Sequence, residues 1–424
     1  MKIAVIGTGY VGLTTGACLA EIGHDIIGND IDEQKIAKLK KGICPIFEAG
    51  LPELLTKHLK SGRLSFTTSI KDSIKDAEAI FICVGTPPKK DGSPDLSFIE
   101  QVMKDIGANL KHYAVIVEKS TVPVQTAQWM KSLLAKHLKT DFDVAVNPEF
   151  LREGTSVHDF LHPDRIVIGT ETAKAEKVMS AVYAPIKAPI MHTNLESAEL
   201  IKHASNSFLS AKISFANMVS QLCEKTNADI KTVMDGVGMD KRIGRDFLNA
   251  GLGYGGFCFP KDVDAFISVL KKHKVDASLL EAVVEINEAQ RAHVVDIAKE
   301  LLGSLKNKTI AVLGLAFKPN TDDVRLSPAC LLIEDLQKQG AKIRSTDPEA
   351  LENAKKILKN VTYCKDAYET AEGADLLILA TEWSDFKTMD LKKLKVKKFI
   401  DARNVFNPVE MKKLGFEYRS IGRK

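Results

Sequence analysis

The chain opens with Lys2-Ile-Ala-Val-Ile6, a short apolar run, and continues directly into Gly7-Thr-Gly-Tyr-Val-Gly12. A stretch of helical composition follows from Leu13 to Ile22, and a second apolar run, Ile26 to Gly28, leads to Asp30. Three glycines in this spacing between a strand and a helix, with an acid 18 residues after the last of them, are typical of a dinucleotide-binding βαβ unit. The opening of the chain therefore predicts a Rossmann-like fold.

Each residue of this motif has a physical task in binding a dinucleotide. Gly7 allows the tight turn, Gly9 lets a pyrophosphate approach the backbone, and Gly12 lets the helix pack closely on the strand. The N–H groups at the start of the helix would bind the phosphates. Asp30 can bind both ribose hydroxyls and would repel a 2′-phosphate, so we expect NAD rather than NADP. The alternative is a tight turn that binds no ligand.

Three more apolar runs are each followed by a polar, proline-containing loop. They are Ala79–Val84, Ala114–Val117 and Asp143–Val146. Such runs predict a parallel, doubly wound sheet, whose ligands bind at the carboxyl ends of the strands. Thr121, Glu149 and Glu153 fall at these ends. Each of these residues has an alternative role when it is considered by itself. Thr121 can cap a helix, and the two glutamates can be solvated charges.

The opening pattern returns in a weaker form in the last third of the chain. Lys308-Thr-Ile-Ala-Val-Leu-Gly314 repeats the strand and the first glycine, but the residues that follow lack the other two glycines. A helix from about Ser327 to Gln339 and a strand from Ala341 to Ser345, before Asp347, complete a second βαβ unit. We therefore predict an α/β chain with two Rossmann-like, doubly wound parallel-sheet domains, the second binding a nucleotide other than NAD.

A long helix is predicted between these two domains, because Leu195 to Thr226 contains neither Gly nor Pro and has a helical apolar pattern. Lys202 and Asn206 share one of its faces, where a cation and an amide donor suit an oxyanion. The alternative is that Lys202 is an ordinary surface lysine. The predicted organisation is an NAD-binding domain at 1–194, a central helical linker and dimerisation region at 195–302, and a second nucleotide domain at 303–424.

A cysteine follows the most glycine-rich segment of the chain, Gly251-Leu-Gly-Tyr-Gly-Gly-Phe-Cys-Phe-Pro-Lys-Asp262. Glycines at four of its first six positions allow close approach to a ligand. Pro260 suits the first turn of a helix, which would place Cys258 at a helix N-terminus that favours a thiolate. Asp262 would lie one turn further along the same face. The segment predicts a nucleophile; the alternative is a glycine-rich turn with a buried, unreactive cysteine.

Composition excludes several classes of protein. The 424 residues are 45% apolar and carry a net charge of +4, which gives no reason to expect a nucleic-acid or membrane partner. The seven cysteines never form a Cys-x-x-Cys pair, so neither a disulfide framework nor a structural zinc site is expected. The chain begins without a basic, apolar leader, and no apolar run reaches the length of a membrane span. We expect a cytosolic protein without a metal.

Taken together, the motifs resemble the family of UDP-glucose 6-dehydrogenases, within the nucleotide-sugar dehydrogenases. Beside the first glycine motif and the cysteine segment, the matching stretches are Val84-Gly-Thr-Pro87, Lys119-Ser-Thr-Val-Pro123, Asn147-Pro-Glu-Phe-Leu-Arg-Glu-Gly154, Glu199-x-x-Lys202-x-x-x-Asn206 and Gly314-Leu-Ala-Phe-Lys-Pro-Asn-Thr-Asp-Asp-Val-Arg325. They follow in order along nearly the whole chain. One departure is Phe257, where many members have a small residue such as Ser.

The resemblance implies oxidation of UDP-glucose to UDP-glucuronate with two NAD per substrate. Cys258 would add to the intermediate aldehyde as a thiohemiacetal, and a second hydride transfer would give a thioester that water hydrolyses. Lys202 and Asn206 would hold the C6 oxygen. Asp262 would serve proton transfer, with Thr121 and Glu153 ordering a water. A role in hydrolysis is implied for Glu149, and which carboxylate acts as the base stays open.

The same resemblance implies two sets of binding residues. Those for NAD are Gly7, Gly9, Tyr10, Val11, Gly12, Asp30, Lys35, Thr86, Thr121, Glu153 and Arg325. Those for the sugar nucleotide are Glu149, Phe150, Leu151, Lys202, Asn206, Phe247, Asn249, Tyr254, Gly255, Lys318 and Arg403, with Arg242 reaching in from a neighbouring subunit of a homodimer.

Three alternatives stay open at the level of the sequence. A sister enzyme would perform the same chemistry on GDP-mannose or UDP-N-acetylmannosamine. A two-electron dehydrogenase would use Cys258 only for packing and would form one NADH per sugar. A non-catalytic regulator would bind NAD without hydride transfer.

Overall fold

The computed structural model describes residues 1–87, 89 and 92–423. They form two compact units, each with its own parallel sheet. Unit 1 comprises residues 1–205 and 264–273, and unit 2 comprises residues 206–263 and the chain from Lys274 onward. The family of folds predicted from the glycine motifs, α/β with two Rossmann-like sheets, is confirmed.

The sheet of unit 1 has the strand order β3-β2-β1-β4-β5-β6-β7-β8. Its strands are β1 Lys2–Ile6, β2 Asp25–Asn29, β3 Leu64–Thr67, β4 Ala79–Ile82, β5 Ala114–Glu118, β6 Phe142–Val146, β7 Ile166–Thr170 and β8 Ile190–Thr193. The first six follow the 3-2-1-4-5-6 order of a Rossmann domain and are parallel. The strand that leads into the glycine motif, β1, therefore lies beside β4, where the order reverses.

Three strands of this sheet, β3, β7 and β8, were not predicted from the sequence. The seventh strand pairs with β6 in the antiparallel sense, and β8 pairs in parallel with β7. Both lie beyond the last motif at the sheet's edge, and β8 is largely exposed. Because mixed sheets often carry such an edge, the Rossmann order at the centre is unaffected.

Helices cover both faces of the first sheet, and buried apolar side chains form a separate cluster on each face. The helices are α1 Tyr10–Glu21, α2 Glu33–Lys40, α3 Leu51–Ser61, α4 Ile70–Ile74, α5 Ser97–Asn109, α6 Thr126–His137, α7 Ser156–Leu161 and α8 Ala173–Tyr183. Among them, α1 begins directly after Gly9. The fingerprint thus joins the central strand to the first helix, as predicted.

The predicted long helix is confirmed as α9, Leu195–Thr226, and the boundary between the two units falls within it. It is followed by α10 Ile230–Gly238, α11 Phe259–Lys272 and α12 Ser278–Leu302. Residues 273–277 separate the last two. One residue differs from expectation at the start of α11, which begins at Phe259 rather than Pro260.

The sheet of unit 2 is entirely parallel and has the order β11-β10-β9-β12-β13-β14, again that of a Rossmann domain. Its strands are β9 Thr309–Leu313, β10 Lys342–Thr346, β11 Val361–Tyr363, β12 Leu376–Leu379, β13 Lys398–Asp401 and β14 Glu417–Ser420. Its helices are α13 Pro328–Lys338, α14 Leu351–Ile357, α15 Ala367–Ala371, α16 Ser384–Lys387 and α17 Pro408–Lys413.

Within the described residues, no helix is both long enough and apolar enough to span a membrane.

Candidate functional site

The glycine turn of unit 1 has the geometry that a dinucleotide requires. Gly7 has φ +93°, and a side chain there would meet the Cys83 carbonyl oxygen at 2.8 Å. A Cβ at Gly12 would lie 1.8 Å from the Gly7 carbonyl oxygen, so the helix can pack on the turn only without one. Around Gly9, by contrast, the space is open to 4 Å. The turn is tight where the protein packs on itself and open where a pyrophosphate would lie.

Asp30, at the end of β2, faces this turn. Its Oδ2 atom accepts hydrogen bonds from the Thr8 amide and hydroxyl, both at 2.9 Å, and from Lys35 Nζ at 2.8 Å. These donors hold the pKa of the carboxyl below its ordinary value despite partial burial, which opposes them. The carboxylate is therefore charged at neutral pH and positioned at the first βα turn.

The loop after β6 is anchored beside the start of α1. Tyr10 OH accepts a hydrogen bond from the Gly154 amide at 3.1 Å, and the buried Glu48 carboxylate accepts from Gly154 and Ser156 at 2.7 and 2.8 Å. Glu153 immediately precedes this anchor and is half-buried. The side chain of Val11, the second residue of the helix, packs against the apolar cluster on that face of the sheet.

A buried ion pair joins the same loop to α9. Lys202 Nζ lies 2.9 Å from Glu149 Oε1, and each side chain is about one-twentieth exposed, at 5% and 6%. The other oxygen of Glu149 accepts a hydrogen bond from the Leu151 amide at 2.7 Å. Phe150 lies between two cations, with Arg165 at 3.8 Å and Lys202 at 5.5 Å from its ring centre. The structure thus brings Lys202 and Glu149 into contact. No spacing in the sequence predicted this contact.

Thr121 lies in the loop after β5. Its carbonyl oxygen accepts a hydrogen bond from the buried Thr86 hydroxyl at 2.9 Å. The preceding Lys119 is buried and donates to Asn147 Oδ1 at 2.9 Å. Burial lowers the pKa of Lys119 to about 8, and the nearby Glu149 opposes this shift. The loops after β4, β5 and β6 are therefore tied together at the carboxyl edge of the sheet, where a ligand is expected.

In unit 2, Cys258 directly precedes α11. The first hydrogen bond of that helix runs from the Asp262 amide to the Cys258 carbonyl at 2.9 Å, so the cysteine occupies the N-cap position. Its side chain is partly exposed, and burial raises the pKa of each of the other six thiols, those of Cys18, Cys44, Cys83, Cys223, Cys330 and Cys364. Cys258 combines a partly exposed side chain with a helix N-terminus, which favours a thiolate.

The glycines before this cysteine permit close packing of the segment. Gly256 has φ +80°, and a Cβ there would lie 2.8 Å from the Phe317 ring, while one on Gly255 would lie 2.3 Å from the Leu326 carbonyl oxygen. Tyr254 is fixed by two hydrogen bonds with the Asn287 amide side chain, at 2.8 and 3.0 Å. The segment is therefore packed rigidly against the second Rossmann core.

Asp262 is buried among polar partners beside the cysteine. Asn206 Nδ2 donates to Asp262 Oδ2 at 2.6 Å, and Lys261 Nζ lies 2.6 Å from Oδ1. All three side chains are buried. The predicted residues Asn206 and Asp262 are thus in direct contact, with Lys261 balancing the charge.

A cavity of about 740 Å³ opens beside the same segment. Three predicted substrate contacts line it, namely Phe247, Asn249 and Arg403. The charged residues of its wall are four cations and one carboxylate: Lys231, Arg245, Lys387, Arg403 and Glu382. The wall is therefore electropositive and suits a diphosphate. Lys231, Arg245 and Lys387 were missed from the sequence, because only the tertiary fold brings surface cations from three helices or loops to one wall.

Other predicted contacts of unit 2 do not line this cavity: Tyr254, Gly255, Lys318, Arg325 and Arg242. Arg325 holds Asp323 at 2.7 Å and lies 4.1 Å from the centre of the Phe257 ring. The side chain of Arg242 is 89% exposed and bound to Asp240. Lys318 lies 5.6 Å from the Phe317 ring centre.

The second Rossmann core keeps the first glycine and the acid of the NAD-type turn, but its acid is bonded differently. Asp347 ends β10 as Asp30 ends β2, and Gly314 has φ +94°, like Gly7. Asp347 Oδ2, however, accepts from the amides of Leu315 and Ala316 at 2.7 and 3.0 Å and from Trp383 Nε1 at 3.1 Å. This carboxylate therefore has different hydrogen-bond partners from that of Asp30.

No group of metal-binding side chains occurs among the residues that the structure describes.

Three family models match successive parts of the chain. Residues 1–187 match the NAD binding domain of the UDP-glucose/GDP-mannose dehydrogenase family, residues 196–289 its central domain, and residues 311–408 its UDP binding domain. The UDP-glucose 6-dehydrogenase TuaD of Bacillus subtilis is 48% identical over 429 residues, which cover 100% of this chain and 93% of that protein.

Solved structures are similar over the whole chain. A UDP-glucose dehydrogenase from Pyrobaculum islandicum is 38% identical, with a TM-score of 0.95 over 100% of this chain and 98% of that one. A UDP-D-ManNAc dehydrogenase from Pyrococcus horikoshii is 30% identical, with a TM-score of 0.87 over 100% and 99%. With its two Rossmann cores, its NAD fingerprint and its central helix, the chain belongs to the UDP-glucose/GDP-mannose dehydrogenase family.

Proposed function

We propose that this chain catalyses the NAD-dependent, four-electron oxidation of UDP-glucose to UDP-glucuronate through a covalent intermediate on Cys258. The observation that carries the proposal is a partly exposed cysteine at the N-cap of α11, next to the buried Asn206–Asp262–Lys261 group. The choice of sugar nucleotide is supported by the 48% and 38% identity to UDP-glucose enzymes, against 30% for the UDP-D-ManNAc enzyme.

The residues around the glycine turn fit NAD. The open space at Gly9 admits a pyrophosphate, and the charged Asp30 can accept hydrogen bonds from a ribose diol. Tyr10, Val11, Lys35, Thr86, Thr121, Glu153 and Arg325 complete the proposed set. When bound, NAD supplies the acceptor for hydride from the sugar carbon.

The first half of the reaction turns an alcohol into an aldehyde. Removal of the hydroxyl proton places negative charge on the C6 oxygen, and departure of hydride from C6 then gives the neutral aldehyde. Lys202 and Asn206, one turn apart on α9, stabilise that charge as a cation and an amide donor. Asp262 takes up the proton directly or through a water that Thr121 and Glu153 order.

The second half converts the aldehyde into a carboxylate without releasing it. The Cys258 thiolate forms a bond to the carbonyl carbon, and the oxygen becomes the alkoxide of a thiohemiacetal. Loss of a second hydride gives the thioester. A water that gives up a proton to Glu149 attacks the carbonyl, and the carbon–sulfur bond breaks to restore the Cys258 thiolate. The carboxylic acid that leaves loses its proton to solvent.

The sugar nucleotide binds to unit 2 in this proposal. Phe247, Asn249 and Arg403 contact it in the electropositive cavity, and Tyr254, Gly255 and Lys318 complete the contacts of this unit. Phe150 and Leu151 provide further contacts from the loop after β6. Arg242, exposed within one chain, reaches the substrate of a neighbouring subunit.

Measuring NADH formation on UDP-glucose, GDP-mannose and UDP-N-acetylmannosamine tests the substrate. We expect turnover with UDP-glucose, two NADH per sugar consumed, and UDP-glucuronate as the product. Preference for either of the other sugars would assign a sister activity, and a single NADH per sugar would exclude the covalent route.

Replacing Asp30 with alanine should weaken the preference for NAD. The change removes an acceptor for the ribose hydroxyls and frees Lys35, now 2.8 Å from the carboxylate, to bind a 2′-phosphate. We expect the ratio of kcat/KM for NAD over NADP to fall at least about tenfold, since loss of a charged hydrogen bond costs about 1.5–3 kcal/mol. Initial rates with both cofactors measure it, and an unchanged ratio would reject the ribose role of Asp30.

The proposed domain organisation follows the motifs: NAD binding at 1–194, a central linker and dimerisation region at 195–302, and UDP-sugar binding at 303–424. The three family models, at 1–187, 196–289 and 311–408, support this division.

A homodimer is supported by an apolar stripe on α9. Phe208, Phe215, Met218 and Leu222 are exposed between 46% and 68% and are spaced by seven, three and four residues, the spacing of a helix seam that pairs with a copy of itself. We expect Phe215→Glu to shift the chain from dimer to monomer in sedimentation velocity. Lys225→Glu, on the same helix and exposed, is the control. A monomeric wild-type chain would reject the proposal.

The seven free cysteines support a reducing compartment, and the cytosol is the proposed location.

A further inference from the structure

The Thr121 loop, residues 119–125, is fastened at both ends to one side chain of α9. At its far end, Glu199 accepts hydrogen bonds from the amides of Gln125 at 2.6 Å and Ala127 at 2.8 Å, and so caps the N-terminus of α6. At its near end, the buried Glu118 carboxyl lies against Glu199 in the wall of one small cavity, and its Oε2 atom has no other hydrogen-bond partner among the described residues. Both ends of the loop therefore converge on Glu199, which lies one turn before Lys202.

Further contacts hold the middle of the loop on the same helix. His203 forms a hydrogen bond through Nε2 with the Val122 carbonyl oxygen at 2.6 Å, and its ring stacks on Phe266 at 5.7 Å. A cavity of about 10 Å³, the space of roughly one water molecule, lies beside Glu118 and Glu199. Its wall contains Glu118, Glu199, Thr121 and Lys202. The two glutamates thus lie next to Thr121 and Lys202, which the proposed reaction uses.

Two carboxyls in contact in a buried site can share a hydrogen bond only if one of them keeps its proton. Burial and the neighbouring Glu199 raise the pKa of Glu118 well above its usual value. Burial also raises the pKa of Glu199, but its two backbone donors favour the charged form. Glu196 and Lys202 are the other charged groups of α9 that face or adjoin the pair. The proton therefore resides on Glu118 and the charge on Glu199.

We propose that Glu118 and Glu199 form a one-proton latch that positions Thr121 against the helix of Lys202. Glu199 fixes the loop through the start of α6, and protonated Glu118 donates to Glu199 from the end of β5. Neither residue touches substrate, so both are positioning residues. The kinetic consequence rests on the proposed function, but the presence of the proton does not.

The two glutamates respond differently to the same substitution if this assignment is right. Glu118→Gln keeps a neutral donor to Glu199, whereas Glu118→Ala removes it. Glu199→Gln removes the charge that two amides require. We expect Glu118→Ala and Glu199→Gln to lower kcat/KM for NAD by about tenfold or more, and Glu118→Gln to restore most of the loss in Glu118→Ala. Glu196→Gln, one turn earlier on α9, is the matched control.

The proton itself is measured without turnover. Because the pKa of Glu118 is raised in the folded chain, the contribution of this group to the folding equilibrium constant should fall by up to about tenfold per pH unit as the pH rises above the unfolded value of about 4.3. Glu118→Gln should remove that contribution. In the infrared difference spectrum of wild type against Glu118→Gln at neutral pH, we expect the C=O band of a buried protonated carboxyl.

Absence of that band, or an unchanged pH dependence of unfolding in Glu118→Gln, would overturn the latch whatever the enzyme's substrate is. Equal kinetic losses in Glu118→Gln and Glu199→Gln would overturn the assignment of the proton to Glu118. If the band is present but no sugar nucleotide is oxidised, the proposed function fails and the latch stands.

Discussion

Cys258→Ala is expected to abolish formation of UDP-glucuronate. Without the sulfur, the aldehyde has no group to form a thiohemiacetal, so the second hydride transfer lacks its substrate. Loss of a covalent nucleophile typically lowers turnover by about 10⁴-fold or more, and we expect an effect of that size on acid formation. Single-turnover reactions with UDP-glucose should yield one NADH per sugar at most, while the wild-type chain yields two.

Cys44→Ala is the matched control for this experiment. Like Cys258, Cys44 is a free and partly exposed thiol, but burial raises its pKa and its Sγ atom donates to the Ile46 carbonyl oxygen at 3.2 Å. We expect this variant to keep the wild-type stoichiometry. Mass spectrometry of the wild-type chain after brief incubation with substrate and NAD should detect a sugar adduct on the peptide that contains Cys258. Acid production by Cys258→Ala would end the covalent mechanism.

Local patterns were enough to predict most of the fold. The strand, glycine turn and helix from Lys2 to Glu21 are contiguous, and each part is specified by its own residues: apolar β-formers, a turn that admits no Cβ at Gly7 or Gly12, and a run of helical composition that ends before Gly23. The long helix α9 could also be predicted, because neither Gly nor Pro interrupts it. Strands β7 and β8 carry no such motif, and their antiparallel edge position depends on what remains unpaired in the sheet.

Contacts between distant segments could not be predicted from the sequence. Glu149 and Lys202 are separated by more than fifty positions, and Glu118 and Glu199 by eighty-one, so no spacing rule connects them. Asp262 illustrates the intermediate case. Helical spacing predicted it near Cys258, but only the structure pairs its carboxylate with Asn206 and Lys261. Motifs predict which chemistry a segment carries, and tertiary packing decides the charge state and the partner of each group.

Lys202→Met is expected to reduce both turnover and stability, for two separable reasons. The catalytic loss comes from the cation that stabilises the C6 oxygen, and removing one such group costs about 10²–10³-fold in kcat. The stability loss comes from Glu149, whose carboxylate 2.9 Å away stays buried without its partner cation. Breaking a buried ion pair on one side costs about 3–5 kcal/mol in the free energy of unfolding.

A double-mutant cycle separates these two effects. In Lys202→Met/Glu149→Gln, the buried charge is gone together with the cation, so most of the lost unfolding free energy should return, while kcat stays at least about 10²-fold below that of Glu149→Gln alone. Lys225→Met, an exposed lysine further along α9, should change the free energy of unfolding by no more than about 0.5 kcal/mol and leave kcat unchanged. Denaturant unfolding and steady-state rates measure both quantities. Recovery of turnover with stability in the double variant would mean that Lys202 acts only by holding Glu149, since a cation needed at the C6 oxygen cannot be replaced by removing its counterion.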